Sequence, residues 1–195
     1  CGSVAAARRD FRRNLVQAVA VQQGPTLLAQ NGLALLCAAA MSLAAVTASA
    51  CEGLRQGPRG AVASVTDGDT VVLDSGLVIR LIGTQAPKLP LGRDGFETWP
   101  LAEEAKDALE ALVLGREVQL RYGGERIDRH GRALGHLFVD GADSGWVQGE
   151  MVGLGMARVY SFRDNRACLA ELMADEGRAR AMKLGIWSDP YYTVR

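Results

Sequence analysis

Val65-Thr66-Asp67-Gly68-Asp69-Thr70, followed ten residues later by Arg80-Leu81-Ile82-Gly83-Thr84-Gln85-Ala86-Pro87-Lys88, decides the fold. Asp67-Gly68 is a two-residue hairpin signal, since both positions tolerate positive φ. Asp74-Ser75-Gly76 marks a second turn. Val71-Val72-Leu73 and Leu77 to Ile82 are rich in β-branched residues, so Ala61 to Ile82 is predicted to form three strands. Two residues stand out against this pattern. Arg80 shares the parity of Val78 and Ile82 in an apolar strand, where a charge must be paired or must face a functional cavity. Asp67 and Asp69 flank one glycine; a turn uses one such carboxylate, which leaves the other to spare.

Working outward, residues 84–98 read as an irregular loop holding Pro87, Pro90, Gly92 and Gly95. Ala102, Ala105, Leu109 and Leu112 recur at helical spacing, which predicts a helix from about Pro100 to Leu114 with Gly115 at its end. Glu117 to Tyr122 and Ala133 to Val139 are the fourth and fifth strands. A short helix is expected around Trp146 to Leu154, then extended chain at Ala157 to Tyr160. A last helix is expected from about Asn165 to Leu184, with Asp164 as its N-cap. Three strands, a helix, two strands and further helices match a mainly β, α+β architecture: an OB-fold, five-stranded β-barrel with about three helices. The domain is expected over residues 61–190, preceded by a Gly/Pro/Arg linker at 52–60.

Upstream, Arg8, Arg9, Arg12 and Arg13 precede an almost wholly apolar stretch at residues 32–50 that ends in Ala48-Ser49-Ala50. That order predicts an N-terminal export signal within residues 1–51 and a periplasmic or extracellular domain. Cys51 after Ala50 also permits lipidation. An uncleaved anchor through residues 32–50 is the third alternative, since about 20 apolar residues span a bilayer. Any membrane contact would come only through this segment.

The chain holds 22 basic and 22 acidic residues; without Arg8, Arg9, Arg12, Arg13 and Asp10 the remainder carries 18 and 21, a net charge of −3. This excludes a general polyanion sponge, so any nucleic-acid binding must rest on a local cluster. All the remaining basic residues but Lys88, Lys106 and Lys183 are arginines, which suits forked contacts to phosphate. No C-x-x-C occurs, so neither a zinc site nor a disulfide framework is indicated.

The two opening segments, with Asp128-Arg129-His130-Gly131-Arg132, Gly155-Met156-Ala157-Arg158-Val159-Tyr160 and Lys183-Leu184-Gly185-Ile186-Trp187, resemble the staphylococcal nuclease (thermonuclease) family over about residues 60–188. The resemblance implies the same barrel and a monomer that hydrolyses DNA or RNA with a calcium ion, two arginines and a glutamate. The chemistry is intelligible. A hard cation neutralises the phosphate, guanidinium groups hold the growing charge, and a carboxylate activates water. By resemblance Asp69 is a calcium ligand, Arg80 the first phosphate-binding arginine and Arg132 the second. Asp67 and Asp128 are then turn acceptors.

The chain departs from the family at two positions. Gln85 stands where the family has a calcium-binding aspartate, and Lys88 stands where it has the glutamate base. Gln offers an oxygen without charge and Lys offers no oxygen, so weak calcium binding is expected. Two readings follow. Either the domain is an exported phosphodiesterase with a divergent site and a substitute base, for which Glu97 is the first candidate among the loop acids. Or Lys88, Arg80 and Arg132 form a catalytically inactive, metal-free clamp for nucleic acid or another phosphate-bearing ligand. His130 is expected to serve the turn and His136 to be packed. Trp146, Trp187, Tyr191 and Tyr192 are base-stacking candidates or docking anchors. Arg158, Arg163 and Arg166 are expected on a solvated face.

Overall fold

A computed structural model describes residues 51–141 and 145–193; the leader, with its signal, lipid and anchor alternatives, lies outside the described residues apart from Cys51. Strand β1 (Arg55–Asp67) pairs antiparallel with β2 (Thr70–Leu73), and β2 with β3 (Val78–Leu81). On its other edge β1 pairs with β5 (Glu117–Tyr122), which pairs with β6 (Ala133–Val139). Parallel pairing of β3 with β6 closes the ring, making a five-stranded mixed barrel with the OB-fold layout expected. Three short strands accompany it. β4 (Gly83–Gln85) pairs with β8 (Arg158–Tyr160), and β7 (Gly145–Trp146) adds to β6.

Three α-helices lie among the described residues: α1 (Ala102–Val113), α2 (Val147–Gly153) and α3 (Leu169–Ala181). The helical spacing read in α1 is borne out at Ala102, Ala105 and Leu109, which are buried; Leu112 is half-buried, and Val113 is the buried residue at that end. Inside the barrel, strand alternation puts Val71, Leu73, Ile79, Leu81, Val118, Leu120 and Leu137 in one core.

Four expectations are corrected. Residues 55–60 of the presumed linker belong to β1, with Arg55 opposite Tyr122 and Gly60 opposite Val118. Strand pairing uses backbone groups, so a polar sequence does not prevent it. Gly57 and Pro58 fall in the register shift between Gln56 and Arg59, where a proline without an N–H is tolerated. The loop expected at 84–98 starts later, because Thr84 and Gln85 belong to β4. The last helix begins at Leu169, not Asn165, and Cys168 rather than Asp164 is its N-cap residue. Finally, Cys51 and Cys168 form a disulfide across a separation of 117 residues. Their spacing gives no sign of it; only the fold brings the start of β1 to the start of α3.

Gly68 differs in cause from the sequence reading. Its φ is not positive. A Cβ there would lie 2.6 Å from that of Ala86 and 2.8 Å from that of Ala105, so the glycine permits the hairpin to touch both the Pro87 segment and α1. Gly83, at φ 77°, bends the chain between β3 and β4.

Candidate active site

The hairpin of β1 and β2 delivers Asp69 to the mouth of the barrel. Its amide donates to Asp67 Oδ1 at 3.2 Å, and its carbonyl accepts from the Leu81 amide at 2.9 Å. This fixes Asp69 against β3, whose Arg80 pairs with Thr70 in the β2–β3 register. The Asp69 side chain is fully buried. Arg80 Nη2 lies 3.1 Å from Asp69 Oδ2 and donates to the Thr84 carbonyl at 2.9 Å. Arg80 Nη1 donates to the Leu81 carbonyl. A charge at this parity is therefore paired, as the alternation required.

Lys88 completes the cluster. Its Nζ lies 2.8 and 2.6 Å from the two carboxylate oxygens of Asp69 and 3.3 Å from Asp67 Oδ2. The Ala86 amide adds a hydrogen bond to Asp69 Oδ2 at 2.9 Å. Asp69 thus meets an ammonium, a guanidinium and an amide, as a buried carboxylate must. Burial, with the Asp67 charge adding to it, pushes the Asp69 carboxyl above its ordinary value, against the opposing pull of Arg80 and Lys88. Burial also acts upward on Asp67. There the Lys88 charge and the hydrogen bonds from Asp69 and Thr70 outweigh it and hold the carboxyl below its usual range.

The remaining candidates do not join this cluster. Gln85 Oε1 accepts from Arg158 Nε at 3.2 Å and Nη2 at 2.7 Å, following their pairing across β4 and β8. Arg158 is therefore part-buried and engaged, not on a solvated face. Sequence reasoning missed this partner; only the β4–β8 register reveals it. Arg132 immediately precedes β6, which runs beside β3 with Leu134 as the register partner of Arg80. The Arg132 guanidinium is held by Asp128, with Nη2 and Nε both 2.7 Å from Oδ2. Asp128 is the turn acceptor expected, receiving the His130 amide at 2.8 Å and the Arg132 amide at 3.0 Å. Glu97 is exposed on its loop and makes no hydrogen bond or ion pair to the cluster among the described residues. His130 sits in the exposed turn; His136 and Trp146 are buried and packed together.

Calcium, which the fold family implies, does not fit these side chains. The one carboxylate at the centre is saturated by Lys88, Arg80 and Ala86, and the Gln85 oxygen is occupied by Arg158. An ammonium in contact with both Asp69 and Asp67 also repels a divalent cation. Among the described residues no group of three or more His, Cys, Asp or Glu could hold a metal.

A closed OB barrel whose β1–β2 turn holds a buried aspartate against Arg80 and Lys88 defines a small-barrel protein with a charged cluster at that turn. The chain belongs to the family of staphylococcal nuclease homologues, whose match covers residues 78–189. It is 34% identical to Protein ParB of Escherichia coli over 142 residues, 68% of this chain and 74% of ParB. It is 31% identical to Endonuclease YncB of Bacillus subtilis (strain 168), covering 66% of this chain and 61% of that protein. Identity to the SPbeta prophage-derived endonuclease YokF of the same bacterium is 35%, over 49% of this chain and 32% of that one. The chain thus spans less than two thirds of either named endonuclease.

Proposed function

We propose that this chain is a nucleic-acid phosphodiesterase in which Lys88 supplies the positive charge that a calcium ion supplies elsewhere in the family. The observation that supports it is the seat of the Lys88 ammonium on both oxygens of Asp69. There it carries a charge beside Arg80, with Arg132 just before β6, the strand that pairs with β3. A phosphodiester anion approaching this cluster meets the charges of a guanidinium and an ammonium already held in place, which is how charge on phosphate oxygens is stabilised without reorganisation. Family membership and the endonuclease names of two relatives point to nucleic acid as the substrate.

Water activation is the weak step in this reading. No carboxylate occupies position 88, and Asp67 is a poor base because its carboxyl is held low. Loss of general-base help costs roughly 10²–10⁴ in rate, so turnover is expected to be slow and indifferent to chelator. A second reading, a clamp that binds a phosphodiester without cutting it, is favoured by the exposed place of Glu97, away from the cluster.

The domain is proposed to work in an oxidising compartment outside the cytoplasm. The Cys51–Cys168 disulfide supports this. It also weighs against lipidation, because the Cys51 sulfur cannot carry both a lipid and Cys168.

The test is cleavage of single-stranded DNA by the full chain, with calcium and with chelator, beside Arg80→Ala. Cutting that survives chelator and is lost in Arg80→Ala is the expected result. Binding without cutting above the Arg80→Ala background would select the clamp. Cutting that requires calcium would overturn the role given to Lys88.

A further inference from the structure

Four aromatic rings form a row beside the pocket that the proposed chemistry leaves unused. Phe96 and Trp99 stack with centroids 6.5 Å apart and planes 19° apart. Trp99 meets Tyr191 at 6.1 Å, and Tyr191 meets Tyr192 at 5.0 Å. The C-terminal pair is fixed to the loop by Tyr192 Oη, which donates to the Pro100 carbonyl at 2.5 Å. Arg93 caps the other end, its guanidinium 3.7 Å from the Phe96 centroid. That guanidinium is itself pinned by the Leu89 and Pro90 carbonyls at 2.6 and 2.9 Å. The row is not core: Tyr191 is 57% exposed, and Phe96 and Trp99 are only part-buried.

We propose that Phe96, Trp99 and Tyr191 are a stacking platform for the bases of single-stranded nucleic acid whose phosphate lies at Lys88 and Arg80. The inference rests on the pocket taking a phosphodiester, and it adds the substrate class. Three features on this surface select that occupant. The row is continuous with the pocket, because the Trp99 amide donates to the Lys88 carbonyl at 3.0 Å. Arg93 puts a cation on the row itself, which complements a polyanion better than an apolar peptide. Ring faces suit base faces of any sequence, which a single strand offers and a duplex keeps stacked inside.

The experiment measures binding of a fluorescent 12-nucleotide single strand, the matching duplex and inorganic phosphate to the full chain. The variants are Tyr191→Ala, Trp99→Leu and Trp99→Phe. Tyr191 is exposed, so its variant tests the platform even if Trp99→Leu fails to fold. Tyr191→Ala is expected to weaken single-strand binding about tenfold, with a much smaller change for duplex and phosphate. Trp99→Phe is expected to retain most of the affinity that Trp99→Leu loses, and the strand is expected to quench tryptophan emission less in Trp99→Phe than in the parent. Wild-type single-strand affinity in folded Tyr191→Ala, or equal losses for strand, duplex and phosphate, would overturn the platform. Dissociation of a dimer by Tyr191→Ala would assign the row to self-association and overturn it as well. Arg80→Ala separates the two ideas. If it leaves phosphate binding intact while Tyr191→Ala still weakens the strand, the pocket reading fails and the platform stands.

Discussion

Lys88 Nζ sits within 2.8 Å of both carboxylate oxygens of Asp69, a side chain with no solvent exposure. The pair is the centre of the proposed site and also a structural element, because Asp69 joins the hairpin, β3 and the Ala86 segment. Removing the ammonium leaves a buried carboxylate with Arg80 and one amide. Lys88→Met is therefore expected to destabilise the domain by about 3 kcal/mol. The double variant Asp69→Asn/Lys88→Met should recover part of that loss, since it removes the uncompensated charge. Urea midpoints of the three proteins check this; an unshifted midpoint in Lys88→Met would refute the pairing.

Arg132 separates function from stability. Its ion pair with Asp128 is about one-third exposed, and such pairs contribute at most about 1 kcal/mol. Arg132→Ala should therefore shift the melting temperature by only a few degrees while lowering cleavage of single-stranded DNA about 10²-fold. Initial rates on one oligonucleotide, set beside melting curves, decide it. A large loss of stability with unchanged rate would assign Arg132 to the turn alone.

The Cys51–Cys168 disulfide ties the start of β1 to the start of α3 across 117 residues. Loops of that size gain about 4–5 kcal/mol on cross-linking in the chain-entropy account. Cys51→Ser, or reduction of the parent, should lower the melting temperature on the order of 10 °C. Equal melting in oxidised and reduced protein would mean the bridge adds nothing.

The barrel was legible because its signals are local. Alternation in 71–73 and 77–82, the Asp67-Gly68 turn and the helical spacing in α1 each act over a few residues. The Asp69–Arg80 pairing was legible too, since a charge within an apolar strand must find a partner; Arg80 lies on the face opposite the barrel core of Ile79 and Leu81. What stayed hidden depends on register between distant segments. Gln85 looks like a weakened ligand in sequence, yet the β4–β8 pairing gives its oxygen to Arg158. Residues 55–60 look like a linker because pairing through backbone leaves no hydrophobic trace. Cys51 and Cys168 carry no spacing signal, and the seat of Lys88 on Asp69 requires the turn at Pro87 to bring position 88 back to the hairpin.

His136 predicts a pH dependence. Burial pushes its imidazole down to about 4, against a smaller opposing pull from the backbone at Ala167. The unfolded chain takes up the proton near the ordinary value of 6.5, the folded chain only near 4. Between those values the unfolded state binds more protons, so stability falls as pH drops through that window and levels off below it. The loss is on the order of 3 kcal/mol. His136→Phe should flatten this slope in urea titrations at pH 7 and pH 5, whatever its effect on stability at neutral pH. A slope unchanged by the substitution would place the dependence on other groups.

Rebuilding a calcium site tests the role proposed for Lys88. Gln85→Asp with Lys88→Glu restores carboxylates at both positions where the family has them. The structure adds a condition that the sequence lacks, because Arg158 donates two hydrogen bonds to the Gln85 oxygen. An aspartate there would be captured by that guanidinium in a bidentate pair. The double variant is therefore expected to bind calcium weakly, and the triple variant carrying Arg158→Ala at least tenfold more tightly. Calorimetric titration of calcium into the parent, double and triple variants reads this without any activity assay. Equal affinity in the double and triple variants would show that Arg158 does not guard position 85. Tight binding by the parent would show that the Lys88–Asp69 pair yields to the ion.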